Sequence, residues 1–201
     1  QDRARAITDI LLGMGADIIV VACNTATAAA ISTLRMEYPT VPFVGMEPAV
    51  KPAALGTGSG VIGVLATAGT LKGSKYLKTR GLYKDDVRIA ERVGQGFVEL
   101  VENGVLDGPE AEAVVRKSLQ PLLDEGADTI VLGCTHYPFL QPVIERIAGP
   151  GVRVIDPAPA VARQTARVLR EREIETGKGP FSVDLYFSGE PESLRRIFAT
   201  I

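Results

Sequence analysis

A stretch near the start of the chain is repeated in its second half. Gly15-Ala16-Asp17-Ile18-Ile19-Val20-Val21-Ala22-Cys23-Asn24-Thr25 is echoed by Gly126-Ala127-Asp128-Thr129-Ile130-Val131-Leu132-Gly133-Cys134-Thr135-His136. Each copy runs Gly-Ala-Asp, a β-branched and aliphatic run, a small residue, then a cysteine followed by hydroxyl or amide side chains. Continuous apolar runs of this kind are read as parallel strands covered on both faces. Burial explains the aliphatic residues but not the thiol that ends each strand. The chain holds two cysteines and one histidine, and the repeat uses all three.

The echo continues beyond the cysteines. Phe43-Val44-Gly45-Met46-Glu47-Pro48-Ala49 matches Val152-Arg153-Val154-Ile155-Asp156-Pro157-Ala158, so each half carries strand, thiol, helix, strand and acid-Pro-Ala. The expected fold is α/β, with two pseudo-symmetric domains built on mainly parallel sheets. Ligand-binding loops at the carboxyl ends of such strands would face each other across a cleft, with Cys23 and Cys134 on its two walls. Residues 1–47 with 158–201 are expected to form the first domain, and residues 48–157 the second.

At 201 residues the chain can bury about 70% of its unfolded surface, so a core is available without disulfides or metals. Twenty-two basic and 24 acidic side chains give a net charge of -2, which supplies no electrostatic reason for a nucleic-acid or anionic-membrane partner. A small-molecule ligand is the better expectation. No apolar run approaches the roughly 20 residues of a membrane helix, and two cysteines far apart make no disulfide framework. A cytoplasmic protein is the reading. The chain starts at Gln1, already inside a helical pattern, which leads us to expect a further segment upstream.

Along the chain, Ala6, Ile7, Ile10, Leu11 and Met14 line one side of an opening helix. Strands are expected over 18–21, 42–46, 61–65, 87–93, 130–132 and 152–155, with helices over 26–37, 71–79, 95–102, 109–125, 139–147 and 160–173. Asn24 or Thr25 can cap the helix after Cys23, leaving the thiol beside that helix's positive end. Thr67, in the small-residue turn Ala66-Thr67-Ala68-Gly69-Thr70, fits a helix cap and a ligand contact about equally well. Phe181, Val183, Leu185 and Phe187 alternate with Ser182, Asp184 and Tyr186, the period-two pattern of a strand that could return to the first sheet. Residues 192–201 read as a closing helix.

A free thiol titrates near 8.5, and bringing it to neutrality takes about 2 kcal/mol. His136, two residues after Cys134, is the one imidazole able to assist. A thiolate and a thiol on opposite sides of a substrate carbon can take a proton from one face and return one to the other, inverting the centre.

Val21-Ala22-Cys23-Asn24-Thr25-Ala26 and Leu132-Gly133-Cys134-Thr135-His136-Tyr137-Pro138 resemble the two active-site motifs of the glutamate racemase family, within the aspartate/glutamate racemase superfamily. Gly63-Val64-Leu65-Ala66-Thr67-Ala68-Gly69-Thr70, Phe97-Val98-Glu99-Leu100-Val101-Glu102-Asn103-Gly104 and Ile155-Asp156-Pro157 match further, and the likeness runs from the first helix to about Arg170. The resemblance implies that Cys23 and Cys134 each deprotonate one enantiomer of glutamate, with no cofactor and no metal. It implies that Asn24, Thr25, Thr67, Thr135 and His136 bind the substrate, that His136 assists Cys134, and that Glu102 stands behind His136 as charge partner. A homodimer that supplies D-glutamate for peptidoglycan is the implied setting. The family's opening Asp-Ser-Gly strand, whose Asp assists the first cysteine, and its Tyr-Gly pair have no match in these residues.

Other readings remain open at this point. Cys23, Cys134 and His136 make a Cys₂His set of the sort that binds zinc. A non-catalytic amino-acid-binding protein of the same fold, or a racemase of another acidic amino acid such as aspartate, fits the same motifs. A lone cysteine or histidine is usually structural. Two thiols at equivalent positions, each trailed by polar groups, favour chemistry.

Overall fold

The aliphatic runs form strands because side chains on both of their faces can be covered by the helices between them. In the computed structural model, which describes residues 1–174, 176–177 and 179–189, those strands make two separate parallel sheets. The first contains β1 (Ile19–Val21) and β2 (Phe43–Gly45), paired Ile19 to Phe43. The second contains β3 (Val61–Ala66), β4 (Arg88–Val93), β5 (Thr129–Gly133) and β6 (Arg153–Ile155), in the order β4-β3-β5-β6. All pairings are parallel, as crossover helices require.

Those helices follow the apolar periodicity. α1 (Asp2–Gly13) and α2 (Asn24–Glu37) cover the first sheet, where Ile19, Ala30, Ile31, Leu34 and Phe43 form a small core. α3 (Val50–Gly56) crosses to the second sheet and is followed, after β3, by α4 (Ala68–Leu71) and α5 (Ser74–Tyr83). α6 (Phe97–Glu102), α7 (Gly108–Asp124), a 3₁₀ turn (Tyr137–Leu140) and α8 (Gln141–Ala148) cover the other face. There Phe97, Val115, Leu119, Leu122, Ile130, Leu132, Tyr137, Leu140 and Ile144 are all 0–1% exposed. Each such side chain contributes about 1.5–3 kcal/mol on leaving water, so this is the larger store of stability. α9 (Ala158–Glu171) then returns to pack against β2.

Three expectations need correction. The opening helix forms, but it turns Ala4, Thr8, Leu11 and Leu12 inward, while Ile7, Ile10 and Met14 are 52%, 56% and 53% exposed. Two apolar stripes compete on that helix, and ties to α2 and its end select one: Arg5 forms a two-pronged ion pair with Glu37, and Tyr38 donates to Asp9 at 2.7 Å. The helix expected over 71–79 is two helices, since Lys72-Gly73 breaks it and Gly73 caps the second. The strand expected over 181–187 is absent. Phe181 is 91% exposed, and alternation alone gives a segment two faces without providing a sheet edge to pair with. The closing helix expected over 192–201 lies outside the described residues.

Candidate active site

β1 and β5 each deliver a cysteine at the carboxyl end, where the chain leaves the sheet. Cys23 itself, rather than Asn24 or Thr25, caps α2: its extended backbone precedes Asn24, and Sγ accepts the Ala26 N–H at 3.5 Å. The positive end of α2 therefore faces that sulfur. Cys134 follows β5, with the backbone N–H groups of Thr135, His136 and Tyr137 turned toward its sulfur. Burial pushes the Cys134 thiol up, these N–H groups pull it partly back, and the charge of Cys23 raises it again. The net effect holds the Cys134 thiol above its ordinary value, with burial the largest cause.

His136 and Glu102 come together beside Cys134. His136 Nδ1 is 3.9 Å from Cys134 Sγ, and Nε2 is 3.5 Å from Glu102 Oε1. The imidazole lies between thiol and carboxylate, an arrangement able to pass a proton toward or away from sulfur. Glu102 stands at the end of α6, with its side chain 56% exposed, so its attraction for the imidazole is screened by water.

Asn24, Thr25 and Thr67 line the joint between the two sheets. Thr25 Oγ1 lies 3.0 Å from Thr67 Oγ1 and 3.1 Å from Thr70 Oγ1, and the last two are 3.0 Å apart. Thr67 also caps α4 by accepting the Thr70 N–H, so the helix-cap expectation holds for it. Thr70, 2% exposed, completes the triangle and was not singled out from the sequence. A hydroxyl in a small-residue turn carries no local signal of its own; only contact with Thr25 across the joint reveals it. Asn24 is 4% exposed, and neither its amide nitrogen nor its amide oxygen has a partner among the described residues. Orphaned buried groups cost about 1–3 kcal/mol each, a cost that a polar ligand removes. Thr135 is half-buried after Cys134.

Among the described residues no three His, Cys, Asp or Glu side chains gather as a metal would need, so the Cys₂His zinc reading finds no geometry here. No described helix is long and apolar enough to cross a membrane.

The model of the Asp/Glu/hydantoin racemase family matches residues 2–165. The glutamate racemase of Ectopseudomonas mendocina (strain ymp) is 44% identical over 197 residues, covering 98% of this chain and 75% of that protein. Among solved structures, the glutamate racemase of Thermus thermophilus in complex with β-chloro-D-alanine superposes with a TM-score of 0.78 at 34% identity, covering 99% of this chain and 73% of its own. Escherichia coli glutamate racemase, in complex with L-glutamate and the activator UDP-MurNAc-Ala, gives a TM-score of 0.78 at 31% identity, covering 96% of this chain and 73% of its own. The chain thus spans about three quarters of the length of these relatives.

Proposed function

The chain belongs to the Asp/Glu/hydantoin racemase family, and from that premise we propose that it interconverts L- and D-glutamate by proton transfer between two thiols. In one direction the Cys23 thiolate takes the α proton: the Cα–H bond breaks, an S–H bond forms, and the electron pair passes into the adjoining carboxylate. The Cys134 thiol then gives its proton to the opposite face of the carbon, leaving a thiolate. In the other direction the roles exchange. The chemistry needs neither cofactor nor metal, and no electrons are gained or lost.

The observation that carries this reading is the pair of thiols at equivalent strand ends, one capping α2 and the other 3.9 Å from His136. Burial keeps Cys134 protonated near neutrality, which suits the acid of the first direction. In this reading His136 relays protons for Cys134, with Glu102 steadying the imidazole. The unpartnered Asn24 amide, with Thr25, Thr67, Thr135 and His136, receives the substrate's carboxylates and amine. Residues 1–47 with α9 would form one wall and residues 48–157 the other, a division supported by the packing of α9 on β2. D-glutamate made this way would feed peptidoglycan synthesis and so cell-wall formation and cell shape, in the cytoplasm, from a homodimeric enzyme.

The test is incubation with L-glutamate and, separately, D-glutamate in D₂O, following α-deuterium and optical rotation together, with L- and D-aspartate run in parallel. Deuterium appearing with inversion from both glutamates, and not from the aspartates, is expected. Glutamate binding without exchange would reduce the protein to a binding module and overturn the proposal.

A further inference from the structure

A two-base inversion depends on how far apart the thiols sit, and α2, which carries Cys23 at its start, packs against α4 and α5 of the other sheet. The meeting is close. A methyl group on Gly73 would stand 2.9 Å from the Ala28 Cβ, and one on Gly69 would stand 3.0 Å from the Thr25 methyl. Real Cβ atoms essentially never approach within 3.0 Å, so at Gly73 something must move. Backbone conformation does not demand glycine there, because Gly73 has φ -68° and ψ 133°, open to alanine. What crowds it most is the Ala28 methyl of the neighbouring helix, with the Thr70 carbonyl oxygen of its own turn next at 3.1 Å.

Two polar contacts cross the same joint. The hydroxyl triangle ties Thr25 of α2 to Thr67 and Thr70, and Lys75 Nζ lies 2.5 Å from Glu47 Oε1, linking α5 to the chain that leaves β2. The joint is therefore pulled shut by polar groups and stopped by a methyl against a bare backbone. We propose that the Gly73–Ala28 contact is a positioning spacer that fixes the separation of Cys23 and Cys134, and with it the rate in both directions. The proposal rests on the two-thiol racemase reading. Packed interiors resist deformation, so a methyl at position 73 moves α2 as a body and carries Cys23 with it. Displacements near 1 Å from productive geometry cost on the order of 100-fold in rate.

The test uses the fact that the chain has two cysteines only. Wild type, Gly73→Ala, Ala28→Val, Ala28→Gly and the double variant Gly73→Ala/Ala28→Gly are cross-linked with alkane bis-methanethiosulfonates of graded spacer length, and kcat and KM for both glutamate enantiomers are measured alongside. Gly73→Ala and Ala28→Val are expected to move the preferred cross-linker to a longer spacer and to lower kcat at least tenfold in both directions, with KM changed less. Removing the opposing methyl in the double variant should return the wild-type spacer preference and most of kcat, and Ala28→Gly alone, with the stop removed, should move the preferred cross-linker to a shorter spacer. Ala28→Val adds bulk from the other side, so the question is answered even if Gly73→Ala does not fold. An unchanged spacer preference in the folded single variants, or a double variant that stays impaired, overturns the proposal. Absence of α-proton exchange in the wild type would defeat the racemase reading instead, and the cross-linking would still decide the spacer.

Discussion

β1 and β5 carry the same motif and meet different fates. All five residues of β5 are buried between β3 and β6, whereas the three residues of β1 have one covered neighbour and Val20 is 38% exposed. The aspartates that precede them diverge in the same way. Asp128 accepts from Thr57 Oγ1 at 2.6 Å and from the N–H groups of Gly58 and Ser59 at 2.7 Å each, bracing the loop that enters β3. Asp17 is exposed. The difference teaches that a repeated sequence specifies a strand and its terminal thiol, while the strand's worth in stability comes from what lies on either side of it.

The largest contrast between the halves should vanish at the thiols themselves. Cys23→Ala and Cys134→Ala are each expected to lower glutamate racemisation by at least 10³-fold, since either direction needs one thiol as base and the other as acid. Circular dichroism should show both variants folded. Full activity in either would break the two-base reading and, with it, the functional equivalence of the two halves.

Stability should separate them instead. Val131→Ala, at a fully buried position, is expected to cost about 2 kcal/mol, and Val20→Ala at the equivalent place in β1 under about 0.5 kcal/mol, both read from urea unfolding. Equal losses would mean that β1 is as well covered in solution as β5.

The smallest effect concerns the aspartates. Burial works against the charge of Asp128, but its hydrogen bonds from Thr57, Ser59 and Gly58 prevail and hold the carboxyl down to about 2. A carboxyl depressed on folding stabilises the protein above its unfolded pKa near 3.9, and that contribution fades as pH falls through 2. Asp128→Asn should therefore cost on the order of 1–2 kcal/mol at pH 7 and progressively less between pH 4 and pH 2, while Asp17→Asn should change stability by under about 0.3 kcal/mol. Thermal midpoints across pH check both. A cost for Asp128→Asn that persists unchanged at pH 2 would assign its role to shape rather than charge.

Much of this is legible in the sequence. The aliphatic runs, the acid-Pro-Ala helix starts and the order of elements follow from period and turn chemistry, because those forces act within a few residues. His136 beside Cys134 follows from their spacing and Glu102 behind it is implied by family resemblance; the structure puts the imidazole 3.9 Å from the sulfur and 3.5 Å from the carboxylate. Other features were not legible. The sequence does not mark Cys23 as the cap of α2, because thiols are weak acceptors and Asn or Thr is the usual choice. Phe181 to Phe187 has the alternation of a strand but no partner among the described residues, since pairing is a property of two segments.

The sequence by itself determined that this chain makes parallel α/β units and ends two of their strands in thiols, through preferences that act within a few residues. Only the tertiary structure decided which face of α1 turns inward, that Cys134 is held protonated by burial, and that Thr25, Thr67 and Thr70 close a triangle. Each of these depends on distances between segments remote in sequence, set by packing, and packing energies exist only once the segments have met.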